Sequence, residues 1–405
     1  MSFQTALSGL TAASRDLTVT GHNIANANTA GFKGGRTQFA EVYAASSLGL
    51  AATQTGSGVR VSGIQQQFGQ GSIDFTNNAL DLSISGEGFF TFNANGATVY
   101  SRAGSLSPDR NGMVVNTQGH KLQVYPPQAN GTFDAGRLTD LQLPVGDAPP
   151  QATTNVTLGL NLPAASGTAP VNAFDPADAS SYSHTTSLTV YDSLGAAHTA
   201  SFYFVPTDTA GQWDVHSALD GTSTGAPTTM SFDANGALSA PVGGTVTLPA
   251  LAQANGASDL EITLDLSDAT QFGDNFNVTA LTQDGFATGR LTGIEVTSGG
   301  VVQARYTNGQ ARALGQVALA TFANPQGLQA LGDTVWAETY VSGPALRGAG
   351  ESGSFGSVQS GSLELSNVDL TAELVHMITA QRNFQANAQM ISTTDQITQT
   401  VLNLR

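Results

Sequence analysis

Heptad spacing at the two ends of the chain, and nowhere between them, limits what this sequence can fold into more than any other feature. From Ser2 onward, Phe3, Leu7, Leu10, Ser14, Leu17, Gly21 and Ile24 alternate steps of four and three, the seam of a coiled coil. Leu370, Leu374, Met377, Gln381, Phe384, Ala388 and Ile391 repeat the pattern at the other end. There the seam steps by three to Thr394 and by three again to Ile397 before resuming at Val401 and Leu404, the spacing of a stammer. Ser366, Asn367 or Asp369 can cap this second helix, which at about 1.5 Å per residue is about 50 Å long. Only Asp369, Glu373, Arg382 and Asp395 are charged between Val368 and Leu404. A solvated lone helix carries many more charges, so faces of Gln, Asn, Thr and Ala predict burial among neighbours. The two terminal helices therefore pair with each other or with other molecules, and the domains between them are nested.

Composition narrows the classes. The chain has 405 residues and a net charge of −16, yet only 11% of its residues are charged. Nucleic-acid binding needs Lys and Arg that the chain lacks. With no cysteine there are no disulfides and no thiol chemistry, which fits a secreted protein that does without staples. Its N-terminus has no basic region before an apolar run, so it does not read as a cleavable signal. No apolar run reaches 18 residues, and the first helix lacks a basic face, so neither membrane insertion nor surface binding is expected.

In chain order, the first helix is expected to stop near Ala25 and run into the turn Asn26–Lys33, because Asn and Gly tolerate positive φ. Residues 31–71, with apolar pieces at Phe39–Tyr43 and Val59–Ile64, read as an irregular connector holding one or two strands, matched by Gly-rich residues 343–362. Short strands and tight turns mark residues 72–147 and 285–342 as a β-rich domain. Phe92-Asn93-Ala94-Asn95-Gly96-Ala97 and Asp109-Arg110-Asn111-Gly112 are hairpin turns within it. Residues 148–284, Thr-, Ala- and Gly-rich with alternating strands, read as an inserted barrel or sandwich. The fold class expected is thus mainly β with a terminal coiled coil (1–30 with 363–405) and nested, discontinuous domains.

Little chemistry is legible. Gly348-x-Gly350-x-x-Gly353 has no strand-to-helix turn around it, and Gly221-Thr222-Ser223-Thr224-Gly225 leads into a strand rather than a helix. Asp109-x-Asn111-Gly112 and Asp233-x-Asn235-Gly236 start like calcium loops but lack the closing Glu. The six histidines show no metal-ligand spacing. No catalytic, metal or cofactor site is expected.

Asn23-Ile24-Ala25-Asn26-Ala27-Asn28-Thr29-Ala30-Gly31-Phe32-Lys33, following a heptad helix, resembles the N-terminal motif of the flagellar rod, hook and hook-associated axial proteins. Ser366–Leu370, Glu373–Val375, Gln381–Ala388, Asp395-Gln396 and Asn403-Leu404-Arg405 resemble their C-terminal motif. Leu80–Ile84, Gly86–Phe90 and Tyr100–Gly104 are similar to the family's β core. The inserted block, re-entering through Thr282–Phe286, points to the hook branch rather than the rod branch; His22 and Phe384 depart from the Asn and Tyr that many members carry. The resemblance implies a structural protein, exported unfolded through the flagellar type III apparatus and polymerised under a cap into a curved tube. That tube passes motor torque to the filament as a universal joint. Its implied partners are further copies of itself, the hook cap, the hook-length control protein, the distal rod and the hook-filament junction proteins. The residues expected at the assembly interface are Phe3, Leu7, Leu10, Leu17, Ile24, Asn26, Gly31, Phe32, Leu370, Leu374, Met377, Phe384, Ile391, Ile397, Val401 and Leu404.

Overall fold

A computed structural model of the chain describes residues 2–42, 56–165, 169–253 and 255–403. Tyr43, Leu404 and Arg405, used in the sequence reading, lie outside them. The chain divides into two units: Met1–Val145 with Gly293–Arg305 and Ala311–Arg405, and Gly146–Thr292 with Tyr306–Gln310.

In the first unit, helix α1 (Ser2–Ala25) and helix α2 (Leu370–Asn403) lie side by side. The α1 helix stops where the Asn26 side chain turns back to donate to the His22 carbonyl at 2.9 Å, and the turn closes at Gly31 with φ +68°. A Cβ at Gly31 would sit 2.5 Å from the Ala103 backbone nitrogen, so close approach as well as φ demands glycine. Asp369 is the cap of α2, its Oδ1 accepting from the amides of Thr371 at 2.8 Å and Ala372 at 3.1 Å. Strands Gly35–Glu41 and Val59–Gln66 form an antiparallel hairpin packed on α1.

The β-rich part of this unit is a sheet whose path runs Ala311–Val317, Lys121–Tyr125, Phe89–Ala94, Ala97–Ser101, Val335–Ala337 and Gln329–Gly332. Asn95 and Gly96, with φ of 54° and 97°, make the expected two-residue hairpin turn. Leu82, Ile84, Phe90, Phe92, Leu122, Val124, Val317 and Leu319 form its core. Gly-rich residues 343–362 contain two short strands, Leu346–Gly348 and Ser357–Ser360, separated by turns. Leu346–Gly348 pairs with Leu319–Thr321, and Ser357–Ser360 pairs with Leu82–Ser85. Gly356 is there for contact: a Cβ would lie 2.3 Å from the Ser85 carbonyl oxygen. The Asp109 and Asp233 loops are turns in which each Oδ1 accepts two backbone amides, at 2.8 and 2.8 Å and at 2.8 and 2.9 Å.

The second unit is a β-sandwich. One sheet is built on Asn155–Pro163, paired with Thr263–Asp265, Thr270–Phe272 and Asn277–Gln283; the other runs His184–Tyr191, Ala197–Pro206, Gln212–Leu219, Thr228–Phe232 and Leu238–Ala240. Val156, Leu158, Leu160 and Leu162, alternating on the first, pack against Val190, Phe202, Phe204, Trp213 and Met230 of the second. Backbone pairing continues past Asp284: Gln151 pairs with Phe286 and Ala148 with Gly289.

The Asp284 carboxylate closes this neck by accepting from the Thr154 amide and hydroxyl at 2.8 and 2.7 Å and from the Asn155 amide and side chain at 3.0 and 2.9 Å. Partial burial pushes its pKa up, but the four hydrogen bonds outweigh that and hold it at about 2. Because the folded pKa lies below the unfolded value of 3.8, this stabilisation is complete above about pH 4 and is lost as pH falls through about 2. A fragment of residues 146–292 should melt cooperatively with a midpoint that drops across that window. In Asp284→Asn the drop should flatten, and an unchanged pH profile would contradict the assignment. A fragment of 148–284, which lacks the Phe286 and Gly289 pairings, should melt lower.

Candidate assembly surface

One buried ion cluster ties the helical ends to the β core. Glu364, whose side chain is fully buried, receives Lys33 Nζ on Oε1 at 2.6 Å and an Arg102 nitrogen on Oε2 at 3.2 Å. Two cations on one carboxylate leave a net positive charge, and backbone carbonyls balance it. Lys33 donates to Gly69 O at 2.7 Å, and Arg102 donates to Gly86 O at 2.8 Å and Ile84 O at 3.4 Å. Oε1 also accepts the Gly71 amide at 2.9 Å, and the Arg102 guanidinium lies 5.6 Å from the centre of the Phe89 ring. Burial pushes both the Lys33 and the Arg102 pKa down, against the pull of Glu364. Asn367 reinforces the junction, accepting the Gly34 amide at 2.8 Å and donating to Gln67 O at 2.7 Å.

From this anchor the helices run antiparallel. Asn23 Nδ2 donates to Glu373 Oε1 at 3.0 Å, Thr20 Oγ1 lies 3.1 Å from His376 Nδ1, and Asp16 Oδ2 lies 3.4 Å from His376 Nε2. Further along, Gly9 faces Asn387, where a Cβ would stand 2.5 Å from the side-chain oxygen. The face of α1 turned to α2 is therefore Ala6, Gly9, Ala13, Asp16, Thr20 and Asn23, a heptad stripe of small and polar residues. It is displaced by one residue, about 100°, from the apolar stripe read in the sequence. On α2 the covered residues are Glu373, Met377, Ala380, Phe384, Asn387, Ile391 and Thr394, with Ala388 half-buried beside them. These keep steps of four and three without a break, so the structure needs no stammer: Ile397 is exposed and Thr394 half-buried. On α1 the reason is packing distance, since small residues there let the helices approach closely, while the larger seam residues, Met377, Phe384 and Ile391, come from α2.

The apolar stripe is consequently exposed at both ends of the antiparallel pair, at Phe3 and Leu7 at one end and at Leu370 and Leu374 at the other. Phe3, Leu7, Leu370 and Leu374 are 42, 46, 43 and 46% exposed. Leu10, Leu17 and Ile24 are half-buried, as are Met377, Phe384 and Ile391 on the covered face of α2, and Val401 falls within the last turn of α2. Asn26, Gly31 and Phe32 sit in the turn after α1, Phe32 meeting His22 edge-on at 5.5 Å. Threonine hydroxyls on the open faces are already satisfied. Thr379, Thr393, Thr394, Thr398 and Thr400 each donate to the carbonyl four residues back at 2.7–3.0 Å, which turns a polar face into one that tolerates a dry contact. Sequence reading missed Glu364, Asp16 and Thr20. Only the position of Lys33 and Arg102 inside recognisable motifs hinted that a counter-charge was needed.

The paired terminal helices are anchored by their root to layers of β-sheet. Residues 3–33 match the family described as flagella basal body rod protein and residues 359–404 its rod FlgEFG C-terminal counterpart. Residues 83–161 match the flagellar hook protein FlgE/F/G D1 domain, and 161–286 the flagellar basal body protein FlaE D2 domain. The flagellar hook protein FlgE of Salmonella typhimurium is 41% identical over 417 residues, with full coverage of both chains, and that of Escherichia coli (strain K12) is 40% identical over 415. The crystal structure of Helicobacter pylori flagellar hook protein FlgE2 shares the fold, with a TM-score of 0.55 at 15% identity over 72% of this chain and all of that one. The chain belongs to the flagellar hook protein family. It is a structural subunit located in the flagellum.

Removing one partner of a buried ion pair costs roughly 3–5 kcal/mol, because the charge left behind has no water. Glu364→Ala strands two cations, whereas Lys33→Met leaves Arg102 and Glu364 balanced. Denaturant unfolding should therefore rank Glu364→Ala well below Lys33→Met, and an inverted order would show that the cluster is not held by its carboxylate.

Proposed function

We propose that copies of this chain polymerise through their paired terminal helices into the curved, flexible tube of the hook, which bends as a universal joint while passing motor torque to the filament. The apolar residues left exposed on the helix pair, Phe3 and Leu7 at one end and Leu370 and Leu374 at the other, carry this reading. Such residues on an otherwise polar, acidic subunit mark an interaction surface, and the neighbouring copy is the occupant that a homopolymer supplies. The helix pairs would then form the inner wall, with Leu10, Leu17, Ile24, Met377, Phe384, Ile391, Ile397, Val401 and Leu404 continuing the contact and Asn26, Gly31 and Phe32 setting its root. Export through the type III apparatus suits a chain that no disulfide can lock, since it contains no cysteine. The hook cap, the hook-length control protein, the distal rod and the hook-filament junction proteins are the further partners proposed.

Burying the part of Leu374 still open to water contributes roughly 1 kcal/mol, repeated at every subunit. Leu374→Asp removes that and sets an unpaired carboxylate in the contact. Cells carrying it should export the protein yet stay non-motile, and the purified protein should keep the melting of its β units while forming no tubes. Gln389→Glu, at an exposed helix position, is the milder control. Normal tubes from Leu374→Asp, seen by electron microscopy, would exclude these residues as the assembly element.

A further inference from the structure

In the second unit a histidine stands between two carboxylates. Strand Ala197–Pro206 carries His198, whose cross-strand neighbour Val190 is apolar, so its polar surroundings come from two turns. Its Nδ1 lies 2.7 Å from Oδ2 of Asp220, in the turn after strand Gln212–Leu219, and its Nε2 lies 3.5 Å from Oδ2 of Asp192. Asp220 is half exposed, whereas the Asp192 side chain is fully buried. Asp192 Oδ1 accepts the amides of Leu194 at 2.9 Å and Ala196 at 2.8 Å, and Oδ2 accepts from the Asn255 side chain. A little further on, the Ser258 amide donates to Ser193 Oγ at 2.9 Å. These two links, through Asn255 and Ser258, dock residues 255–259 on the turn at 192–195. A cleft of about 390 Å³ opens beside them, lined by His198, Asp220, Thr222, Ser223, Gln253 and Asn255. No Lys, Arg or Glu lines it, so among the described residues Asp192 and Asp220 are the charged groups that face the ring.

The proton on the ring decides the state of this contact. The Asp220 hydrogen bond raises the His198 pKa above its ordinary 6.5, against partial burial and with Asp192 adding to the rise. Burial pushes the Asp192 carboxyl up, but Asn255 and the amides of Ala196 and Leu194 outweigh it and bring it below the ordinary 3.8. The Thr199 amide and His198 hold Asp220 below that value as well. Both carboxylates are therefore anionic wherever the ring titrates. A protonated imidazole offers an N–H to each, whereas a neutral one keeps a single N–H and turns a lone pair on the other carboxylate. The shorter contact, to Asp220, keeps its proton, so the lone pair falls on the side of Asp192. A buried carboxylate that loses its counter-charge draws in water, and the cleft gives water a path. We propose that His198 is a pH-sensitive latch: protonated, it holds residues 255–259 closed on the 192–195 turn through Asp192, and neutral, it lets that segment open. Because the folded pKa lies above the unfolded value of 6.5, the latch is fully closed below about pH 6.5 and is released as pH rises through the folded value.

The latch works within one chain, so the test is amide hydrogen exchange of the purified full-length monomer, expressed as protection relative to the free-peptide rate at each pH. The amides of Leu194, Ala196, Ala257 and Ser258 should lose protection as pH rises from about 6 to about 9, while the core strand Asn155–Pro163 keeps its own. Asp220→Asn takes away one of the two anions that favour the protonated ring and leaves the partners of Asp192 in place, so the same loss should come at lower pH. His198→Gln should show no step across this range, whatever its level of protection. The Asp220→Asn comparison decides the matter even where His198→Gln does not fold. Flat protection in the parent, a step that survives in His198→Gln, or a step in Asp220→Asn at the parent's pH would each overturn the proposal.

Discussion

The contact between Glu364 and its two cations is the interaction on which the rest of the subunit depends. Lys33 belongs to the turn that ends α1, Arg102 to the β core, and Glu364 to the strand that leads into α2, so three distant parts of the chain meet at one carboxylate. A buried ion pair is weak evidence for stability, because desolvation offsets most of the attraction. What it supplies here is geometry. With Gly69, Gly71, Ile84 and Gly86 contributing backbone groups, the cluster sets how the root of the helix pair joins the sheet. An apolar replacement could fill the volume but could not specify those directions.

Given that root, the division of labour along the helices follows from side-chain size. Small residues, Ala6, Gly9 and Ala13, with Asp16, Thr20 and Asn23, face the partner helix within the chain. Larger residues, Phe3 and Leu7 at one end and Leu370 and Leu374 at the other, are left exposed, and threonines that bond their own helix dress the remaining faces. A subunit built this way is folded before it is buried. Its second burial waits for a neighbour. Unlike the helices, the β units complete their cores internally, through Phe90 and Leu122 in one and Phe202 and Trp213 in the other.

Much of this was legible in the sequence. Alternation in Leu80–Ile84 and the Asn95-Gly96 turn announced the β core, and the heptads announced two terminal helices. The face of α1 was not legible, because a heptad count picks the most apolar stripe, whereas the intramolecular seam there is chosen by closeness of approach and runs one residue away; on α2 the two share Met377, Phe384 and Ile391. Residues 343–362 read as loose because glycine signals freedom on its own, yet Gly356 is needed where two backbones nearly touch. Glu364 was invisible for a different reason: a single carboxylate in a short strand carries no pattern, and only the fold shows that Lys33 and Arg102 converge on it.

The central claim is that the apolar ends of the helix pair are open in the subunit and closed in the tube. Because the chain contains no cysteine, single cysteines report it cleanly. Leu7→Cys and Leu374→Cys should react quickly with a water-soluble thiol reagent in the monomer and at least about tenfold more slowly in assembled tubes, while Ala13→Cys, on the covered face, should be slow in both. Cysteines at positions 7 and 374 that stay as reactive in the tube as in the monomer would contradict the account.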